Sequence, residues 1–195
     1  MALKPGERKT QILQTLATML EQPQGEKITT AALAAKVGVS EAALYRHFAS
    51  KAQMFEALIE FIEESVFSLV NQITQTERDG RAQVQQMVSM LLNFAEKNPG
   101  MVRVLIGDAL VNEDARLQVR INQLVDRVES SLKQALQLVS VGAAASAPGV
   151  APTSTAAHAN ALTAFVVGRW QLYAKSGFKR TPSEYWTEQS ALFLV

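Results

Sequence analysis

Side chains that can bind an anionic polymer are concentrated between residues 45 and 51. Tyr45, Arg46 and His47 are consecutive, and Lys51 follows four residues after His47. A phenol, a guanidinium, an imidazole and an ammonium group can all donate hydrogen bonds to phosphate oxygens, and a guanidinium also matches the edge of a guanine. Residue types at this spacing therefore indicate contact with nucleic acid.

Two short helices joined by a tight turn are predicted to position these side chains. Thr29 and Ser40 are each suited to cap the N-terminus of a helix, and each stands between apolar residues that can pack across the cap. Gly38 suits the end of the first helix, where a positive φ is commonly needed. The apolar residues predicted to pack inward are Leu33, Val37, Val39, Leu44 and Phe48. The pattern predicts a helix-turn-helix.

The outward face of the second helix is predicted to enter a major groove. Small Ala42 and Ala43 would let the helix lie deep in the groove and contact thymine methyl groups. Thr30 and Lys51 stand at predicted helix N-termini, where backbone N–H groups favour anions such as phosphate. The predicted DNA-contacting residues are Thr29, Thr30, Ser40, Glu41, Ala42, Ala43, Tyr45, Arg46, His47 and Lys51.

Other roles remain open for several of these residues at this point. Tyr45 could lie at the edge of the core, and Arg46 could be an ordinary surface charge. We expect His47 to face solvent or phosphate rather than a metal ion, because no other His or Cys lies near it in the sequence. Helical hairpins with a glycine in the turn also occur in proteins that do not bind DNA.

Charge and composition agree with a nucleic-acid-binding segment attached to a larger body. Residues 1–55 carry seven basic and four acidic side chains, a balance of +3, whereas the remainder has a balance of −2. A chance fluctuation of a few charges would give the same asymmetry. The 195 residues contain no cysteine, which excludes disulfides, thiolate zinc sites and cysteine nucleophiles. The sequence has no signal-peptide pattern and no long apolar run, so we expect a soluble intracellular protein without a membrane span.

The rest of the sequence predicts an all-α protein. Apolar residues recur at three- and four-residue spacing, and four long helices are predicted over residues 51–75, 81–97, 112–139 and 155–175. A last helix is predicted to begin at Thr181, with Pro182 at its first position and Glu184 bonding back to the cap. The Ala- and Pro-rich residues 140–154 are predicted to form a mobile loop, with a segment that orders on contact as the alternative. We expect a DNA-binding domain over residues 1–52 and a helical domain over residues 53–195.

The helix-turn-helix region resembles the DNA-binding signature of the tetracycline-repressor-like (TetR) regulators. Residues 37–48, 58–63, 98–100 and 120–124 are further similar to the nucleoid occlusion factors within that family. The resemblance implies a three-helix DNA-binding head and an all-helical dimerising body. The residues that carry the signature are Thr29-x3-Leu33-Ala34-x3-Gly38-Val39-Ser40-x3-Leu44-Tyr45-Arg46-His47-Phe48-x2-Lys51.

The resemblance to nucleoid occlusion factors also implies a protein partner. Such factors bind palindromic sites on the chromosome as dimers and, while on DNA, antagonise assembly of the tubulin-like division protein FtsZ. The implied contact surface is the exposed side of the helices over residues 51–76 and 81–98. Phe61 lies about 120° from the apolar stripe of its helix, so it is a candidate anchor, unless it packs against a neighbouring helix. Lys97 and Asn98 could flank the same surface, or be an ordinary charged helix end and a turn residue.

The last two predicted helices resemble the dimer interface of the family. Gly168 would allow close approach of a second copy, and Phe165, Trp170 and Tyr173 would supply contact area. Trp170 and Tyr173 could instead line an effector pocket or pack in the core.

Two functions therefore remain open, both without a cofactor. One is a DNA-activated inhibitor of cell division, located on the nucleoid in the cytoplasm, and the alternative is a ligand-released transcriptional repressor. A purely architectural nucleoid protein would be expected to carry more positive charge than +1. No motif of a hydrolase, a nucleotide-binding loop or a metalloprotease is present, so an enzyme is not expected.

Overall fold

The computed structural model describes residues 5–22, 28–143 and 154–193. The described ranges contain helices and turns but no β-strand, which confirms the predicted all-α class. The helices are α1 (Pro5–Leu20), α2 (Thr30–Val37), α3 (Glu41–Tyr45), α4 (Lys51–Thr76), α5 (Gly80–Lys97), α6 (Pro99–Leu105), α7 (Ala115–Ala143), α8 (Thr155–Lys175) and α9 (Trp186–Phe193), with a short 3-10 turn at Asp108–Leu110 between α6 and α7.

The chain forms two compact units, and two of the three boundaries between them fall inside helices. Residues 1–63 and 98–121 make up the first unit, and residues 64–97 and 122–195 make up the second. The division therefore cuts α4 after Glu63 and α7 after Ile121. These packing units are not the functional domains expected over residues 1–52 and 53–195, and that expectation stays a prediction.

In the first unit, α1 packs against both α6 and the first helix of the helix-turn-helix, α2. Ile12 and Leu16 of α1 are buried, as are Leu33 of α2 and Leu44 of α3. The α1 and α6 helices approach closely at Gly100, because a Cβ atom there would lie only 1.8 Å from the backbone oxygen of Ala17. A glycine is thus required for this contact.

The second unit has its core between α5 and α8. Val88, Leu91 and Leu92 of α5 are buried, as are Leu162 and Val166 of α8. Trp170 donates a hydrogen bond from its indole Nε1 to the backbone oxygen of Leu91 at 3.2 Å. Burial of a large aromatic ring whose polar atom is satisfied is a stabilising arrangement.

Most predicted helix limits agree with the structure. The helix predicted over 155–175 is found as α8, and the helices predicted over 51–75 and 81–97 differ from α4 and α5 by one residue at one end. The α5 helix stops before Asn98 as predicted, but Pro99 then begins α6. A proline suits this first position because it has no N–H to leave unbonded. The helix predicted over 112–139 is found as α7, which begins later, at Ala115, and runs on to Ala143. Residues 140–143, predicted as part of the loop, are therefore helical, and residues 144–153 of that loop lie outside the described residues.

The predicted start of the last helix at Thr181 is wrong. Residues 182–185 form a turn, Tyr185 has φ +67°, and α9 begins at Trp186. The cause is Arg169, whose guanidinium donates hydrogen bonds to the backbone oxygens of Thr181, Pro182 and Glu184 at 2.7–2.9 Å. A helix beginning at Thr181 would use these oxygens for its own bonds, so a tertiary contact overrides the local start signal.

Candidate nucleic-acid interface

The two helices of the helix-turn-helix are fixed at their ends by the predicted caps. Thr29 Oγ1 accepts a hydrogen bond from the N–H of Ala32 at 3.1 Å, and Ser40 Oγ accepts one from the N–H of Ala43 at 3.2 Å. Gly38 adopts φ +80° and donates its N–H to the oxygens of Ala34 and Ala35. These contacts confirm the predicted helix-turn-helix and set the direction in which α3 leaves the turn.

The α3 helix buries one side and exposes the other. Leu44 is fully buried, and Phe48 just beyond the helix is nearly so. The opposite side exposes Glu41, Ala42, Tyr45 and Arg46, while Ala43 and His47 are half-buried. Tyr45 is 44% exposed, so a core-edge position does not account for it. The outward face thus combines small side chains at the start of the helix with donors at its end.

Three polar side chains on this face form a network. Tyr45 Oη donates to Thr30 Oγ1 at 3.4 Å, and Thr30 Oγ1 donates to Glu41 Oε2 at 2.8 Å. Glu41 lies in the first turn of α3, where the helix dipole favours an anion. The network holds two hydroxyl groups together at one edge of α3, at a spacing suited to neighbouring phosphate oxygens.

Lysine side chains lie near two aromatic rings of the same unit. The ammonium of Lys9, on α1, lies 5.7 Å from the ring centroid of Phe48. The ammonium of Lys51 lies 5.7 Å from the ring centroid of Phe55 and is paired with the carboxylate of Glu113. Sequence analysis missed Glu113, because 62 residues separate it from Lys51 and no periodicity relates them. The predicted phosphate ligand Lys51 therefore already has an anionic partner within the chain.

The residues predicted to bind a protein partner are divided between the two units. Phe61, on α4, is 45% exposed. Asn98 is half-buried at the N-cap of α6 and belongs to the same unit, whereas Lys97 is exposed at the end of α5 in the second unit.

The second unit carries an open groove of about 600 Å³ between the end of α4 and α5. Its lining has no charged side chain and consists of Leu69, Gln72, Ile73, Ala82, Gln85, Gln86, Ser89 and Met90. The groove falls on the helices that the family resemblance implicated. Sequence periodicity gave no signal for it, because the glutamines look like an ordinary solvated face.

The predicted dimer residues have two different environments. Trp170 and Tyr173 are buried in the second unit, and Tyr173 Oη donates to the backbone oxygen of Glu96 at 3.4 Å. Core packing, one of the roles left open for them, accounts for both. Phe165 is half-buried against the rings of Trp186 and Phe193, with centroids 5.4 and 5.1 Å away. At Gly168 an added Cβ would meet no atom of the described residues within 4 Å, apart from its own stretch of helix.

Two negative findings hold within the described ranges. No group of three or more His, Cys, Asp or Glu side chains there is arranged to hold a metal ion. No helix in the same ranges is both long and apolar enough to cross a membrane.

A capped helix-turn-helix in an all-helical chain defines a class of bacterial DNA-binding regulators, and comparison with known proteins specifies it. Residues 17–58 match the family model described as bacterial regulatory proteins, tetR family. Residues 78–195 match the SlmA-like model, described as a tetracyclin repressor-like C-terminal domain.

Relatives and solved structures agree with these models. The chain is 52% identical over 190 residues to the nucleoid occlusion factor SlmA of Marinomonas sp. (strain MWYL1), covering 97% of this chain and 94% of that protein. It is 49% identical to SlmA of Alteromonas mediterranea, covering 98% and 96% of the two chains. Its fold is similar to the MbdR regulator from Azoarcus sp. CIB, with a TM-score of 0.79 at 13% identity over 96% of this chain and 97% of that one.

The chain belongs to the SlmA family of nucleoid occlusion factors, within the tetR family of regulators. Membership in a family of regulatory proteins also confirms that it is not an enzyme.

Proposed function

We propose that this protein binds palindromic double-stranded DNA on the nucleoid as a homodimer and, from there, inhibits assembly of FtsZ. The observation that carries the proposal is the 52% identity to a nucleoid occlusion factor over 97% of the chain. The capped helix-turn-helix supports it, because it supplies the means of reaching the chromosome.

The α3 helix is the part that enters the major groove. Ala42 and Ala43 let the helix approach the base edges, and Arg46 donates to a guanine edge or to a phosphate. Glu41 can accept from the amino group of a cytosine once Thr30 turns toward the backbone. Thr30, Tyr45 and His47 contact phosphates, while Thr29 and Ser40 act through the caps that orient the helices.

The proposed homodimer uses the exposed face of α8. Gly168 lies on this face with Ala161 and Ala164, at helical spacing and with little side chain in the way. Exposed Leu172 adds apolar area to it. A symmetric dimer presents two α3 helices to the two halves of a palindrome.

The proposal that FtsZ binds exposed residues of α4 and α5 rests on features found separately in each unit. Phe61 supports it, because an exposed aromatic side chain is a typical anchor in a protein interface. The uncharged groove of the second unit supports it as well, since glutamine amides can bond an extended peptide while Leu69, Ile73 and Met90 contact its side chains. Lys97 and Asn98 complete the proposed partner-binding residues.

The cellular role is tested by mapping where the protein sits on the chromosome of growing cells. Many sites spread over the chromosome but sparse around the replication terminus would support a spatial marker for division. One or two peaks at a promoter beside its own gene would instead favour the ligand-responsive repressor, and the division role would then be abandoned.

The partner surface is tested with Phe61→Ala. We expect wild-type DNA affinity together with FtsZ binding weakened by about 30-fold, because the loss of an anchor residue costs about 2 kcal/mol. FtsZ polymers are measured by sedimentation with GTP, in the presence of site-containing DNA. Leu138→Ala removes an equally exposed apolar side chain from α7 and should leave inhibition intact. Full inhibition by Phe61→Ala would refute the anchor.

A further inference from the structure

The ion pair between Lys51 and Glu113 lies in the first unit and is largely shielded from solvent. The Lys51 side chain is 23% exposed and the Glu113 side chain 13%. Lys51 is the first residue of α4 and follows the helix-turn-helix directly. Glu113 lies just before α7, in the segment between the 3-10 turn and that helix. The pair therefore ties the end of the DNA-binding motif to a distant part of the chain.

Glu113 is held in place by its own backbone. Its N–H donates to the oxygen of Leu110 at 3.0 Å, and the preceding Asn112 adopts φ +65°, an uncommon conformation that this turn requires. The turn therefore fixes the backbone position from which the Glu113 carboxylate reaches the Lys51 ammonium group.

Two further ion contacts join the same helices in the first unit. Arg120 Nη2 pairs with Glu63 Oε2 at 2.6 Å and Arg120 Nη1 donates to the backbone oxygen of Glu56 at 3.2 Å. The hydrogen bond to Glu63 is the main cause that raises the pKa of Arg120. The second of these, Arg116 to Glu56, is longer at 4.0 Å, and its Arg116 side chain is 76% exposed, so it contributes little. Lys51–Glu113 and Arg120–Glu63 are thus the pairs that fix the position of α4 against α7 and the segment before it.

The burial of the ion pair indicates which anion Lys51 binds, the Glu113 carboxylate or a DNA phosphate. A phosphate that drew the Lys51 ammonium away from Glu113 would leave a carboxylate that is only 13% exposed without its partner, which is unfavourable. A solvent-exposed contact between Lys51 and a phosphate is screened by salt and competes with water. It would therefore contribute less free energy than the loss of the ion pair costs. The pair is therefore expected to stay closed when DNA is bound.

We propose that Glu113 is a positioning residue for DNA binding: it holds Lys51, and through Lys51 the junction between α3 and α4, while the Lys51 ammonium makes no phosphate contact. The inference rests on the proposed DNA-binding function. It replaces the role in phosphate binding that the sequence predicted for Lys51.

The test is a charge exchange measured with a fluorescent duplex selected from a random library for binding to the wild-type protein. Lys51→Glu should weaken binding at least 30-fold, because two carboxylates then face each other. The double variant Lys51→Glu, Glu113→Lys should recover to within about threefold of wild type, since the pair is restored with reversed polarity. Weak binding by a double variant with wild-type circular dichroism would overturn the proposal, because Lys51 must then face DNA itself.

A second variant covers the case in which reversal prevents folding. Lys51→Met with Glu113→Leu should keep the wild-type slope of log affinity against log salt concentration, whereas a lost phosphate contact would lower that slope by about one. A lowered slope overturns the proposal. Arg116→Glu is the matched control, a charge reversal at the exposed pair, and should change affinity less than threefold.

The two proposals fail in different ways. A wild-type protein that selects no duplex contradicts DNA binding itself. A wild-type protein that binds while the exchange variant does not contradicts only the role of Glu113.

Discussion

Polar side chains proposed to contact DNA are bonded to one another in the structure. Thr30 gives its proton to Glu41 and accepts from Tyr45. A phosphate that binds Thr30 must therefore compete with a carboxylate, and the competition also frees Glu41 for a base edge. The same residue types were predicted from the sequence as DNA ligands, but their mutual bonds could not be, because Thr30 and Tyr45 are on different helices.

Asp114 gives a prediction for pH dependence at a single residue. Its carboxylate binds the Arg116 guanidinium at 2.7 Å, and this hydrogen bond is the main cause that lowers the pKa of Asp114 to about 2. The folded pKa is below the ordinary value, so the pair stabilises the fold above about pH 4. That contribution is lost as the pH falls toward 2. The effect on unfolding is small because the pair is exposed.

The measurement is a carbon-detected NMR titration of the Asp114 carboxyl group. We expect a midpoint near 2 in the wild type and a return toward about 3.9 in Arg116→Ala. A wild-type midpoint near 4 would show that the ion pair does not form in solution.

At the scale of elements, the sequence predicted the start of a helix correctly where the capping side chain bonds to a backbone N–H of that same helix. Thr29 and Ser40 do so, and both predicted starts are correct. The sequence around Thr181 carries an equally strong start signal, yet Arg169 takes the backbone oxygens that the helix would need. The local sequence could not predict this competition for the backbone oxygens. In the sequence Arg169 looks like any charged residue of a helix, and its contacts are known only from the folded structure.

Ser40→Ala tests how far α3 depends on its cap. The helix has five residues, so a single cap bond supplies a large part of its local stabilisation. We expect a loss of about 1 kcal/mol in the free energy of unfolding and up to about fivefold weaker DNA binding.

Urea unfolding and duplex titration measure the two effects of Ser40→Ala. Ser40→Thr keeps a capping hydroxyl and should stay close to wild type. Ser130→Ala on α7 removes a hydroxyl that bonds only the oxygen of Asp126 within a helix, and should change neither quantity. Wild-type stability in Ser40→Ala would show that the cap is dispensable.

Gly100→Ala tests the contact between α1 and α6. The added Cβ would lie 1.8 Å from the backbone oxygen of Ala17, so one of the helices must move. We expect a loss of about 1–3 kcal/mol in the free energy of unfolding, as for other overpacked sites. Gly6→Ala is the control, because nothing lies within 4 Å of its added Cβ. Equal stability of the two variants in urea would contradict the close contact.

At the scale of the whole molecule, the fold class and the helix proposed to contact DNA were predictable from the sequence, whereas contacts between residues far apart in the sequence were not. The spacing of apolar residues and the capping residues predict the helix-turn-helix, because all of these features lie within about 25 residues of sequence. The pair Lys51–Glu113 and the bond from Trp170 to Leu91 join residues 62 and 79 positions apart. A hydrophobic pattern predicts that Trp170 is buried or at an interface, but only packing decides between the two.

The proposed homodimer makes a prediction at this scale through Gly168. A Cβ atom added there meets no described atom outside its own stretch of helix within 4 Å, so we expect the folded chain to tolerate a side chain at this position. A leucine at this position would, however, enter the space that the exposed face of α8 offers to a second copy. We expect Gly168→Leu to unfold at no lower urea concentration than wild type when both are monomeric, since leucine favours a helix over glycine by nearly 1 kcal/mol.

Sedimentation velocity over a range of protein concentrations measures the effect of Gly168→Leu on dimerisation separately from its effect on stability. The variant should dissociate at concentrations at least tenfold higher than the wild type, and it should lose its preference for palindromic duplexes over half-sites, because a monomer offers only one α3 helix. Gln134→Leu places the same side chain on the exposed face of α7 and should remain dimeric. A dimer of unchanged strength in Gly168→Leu would move the proposed interface away from α8.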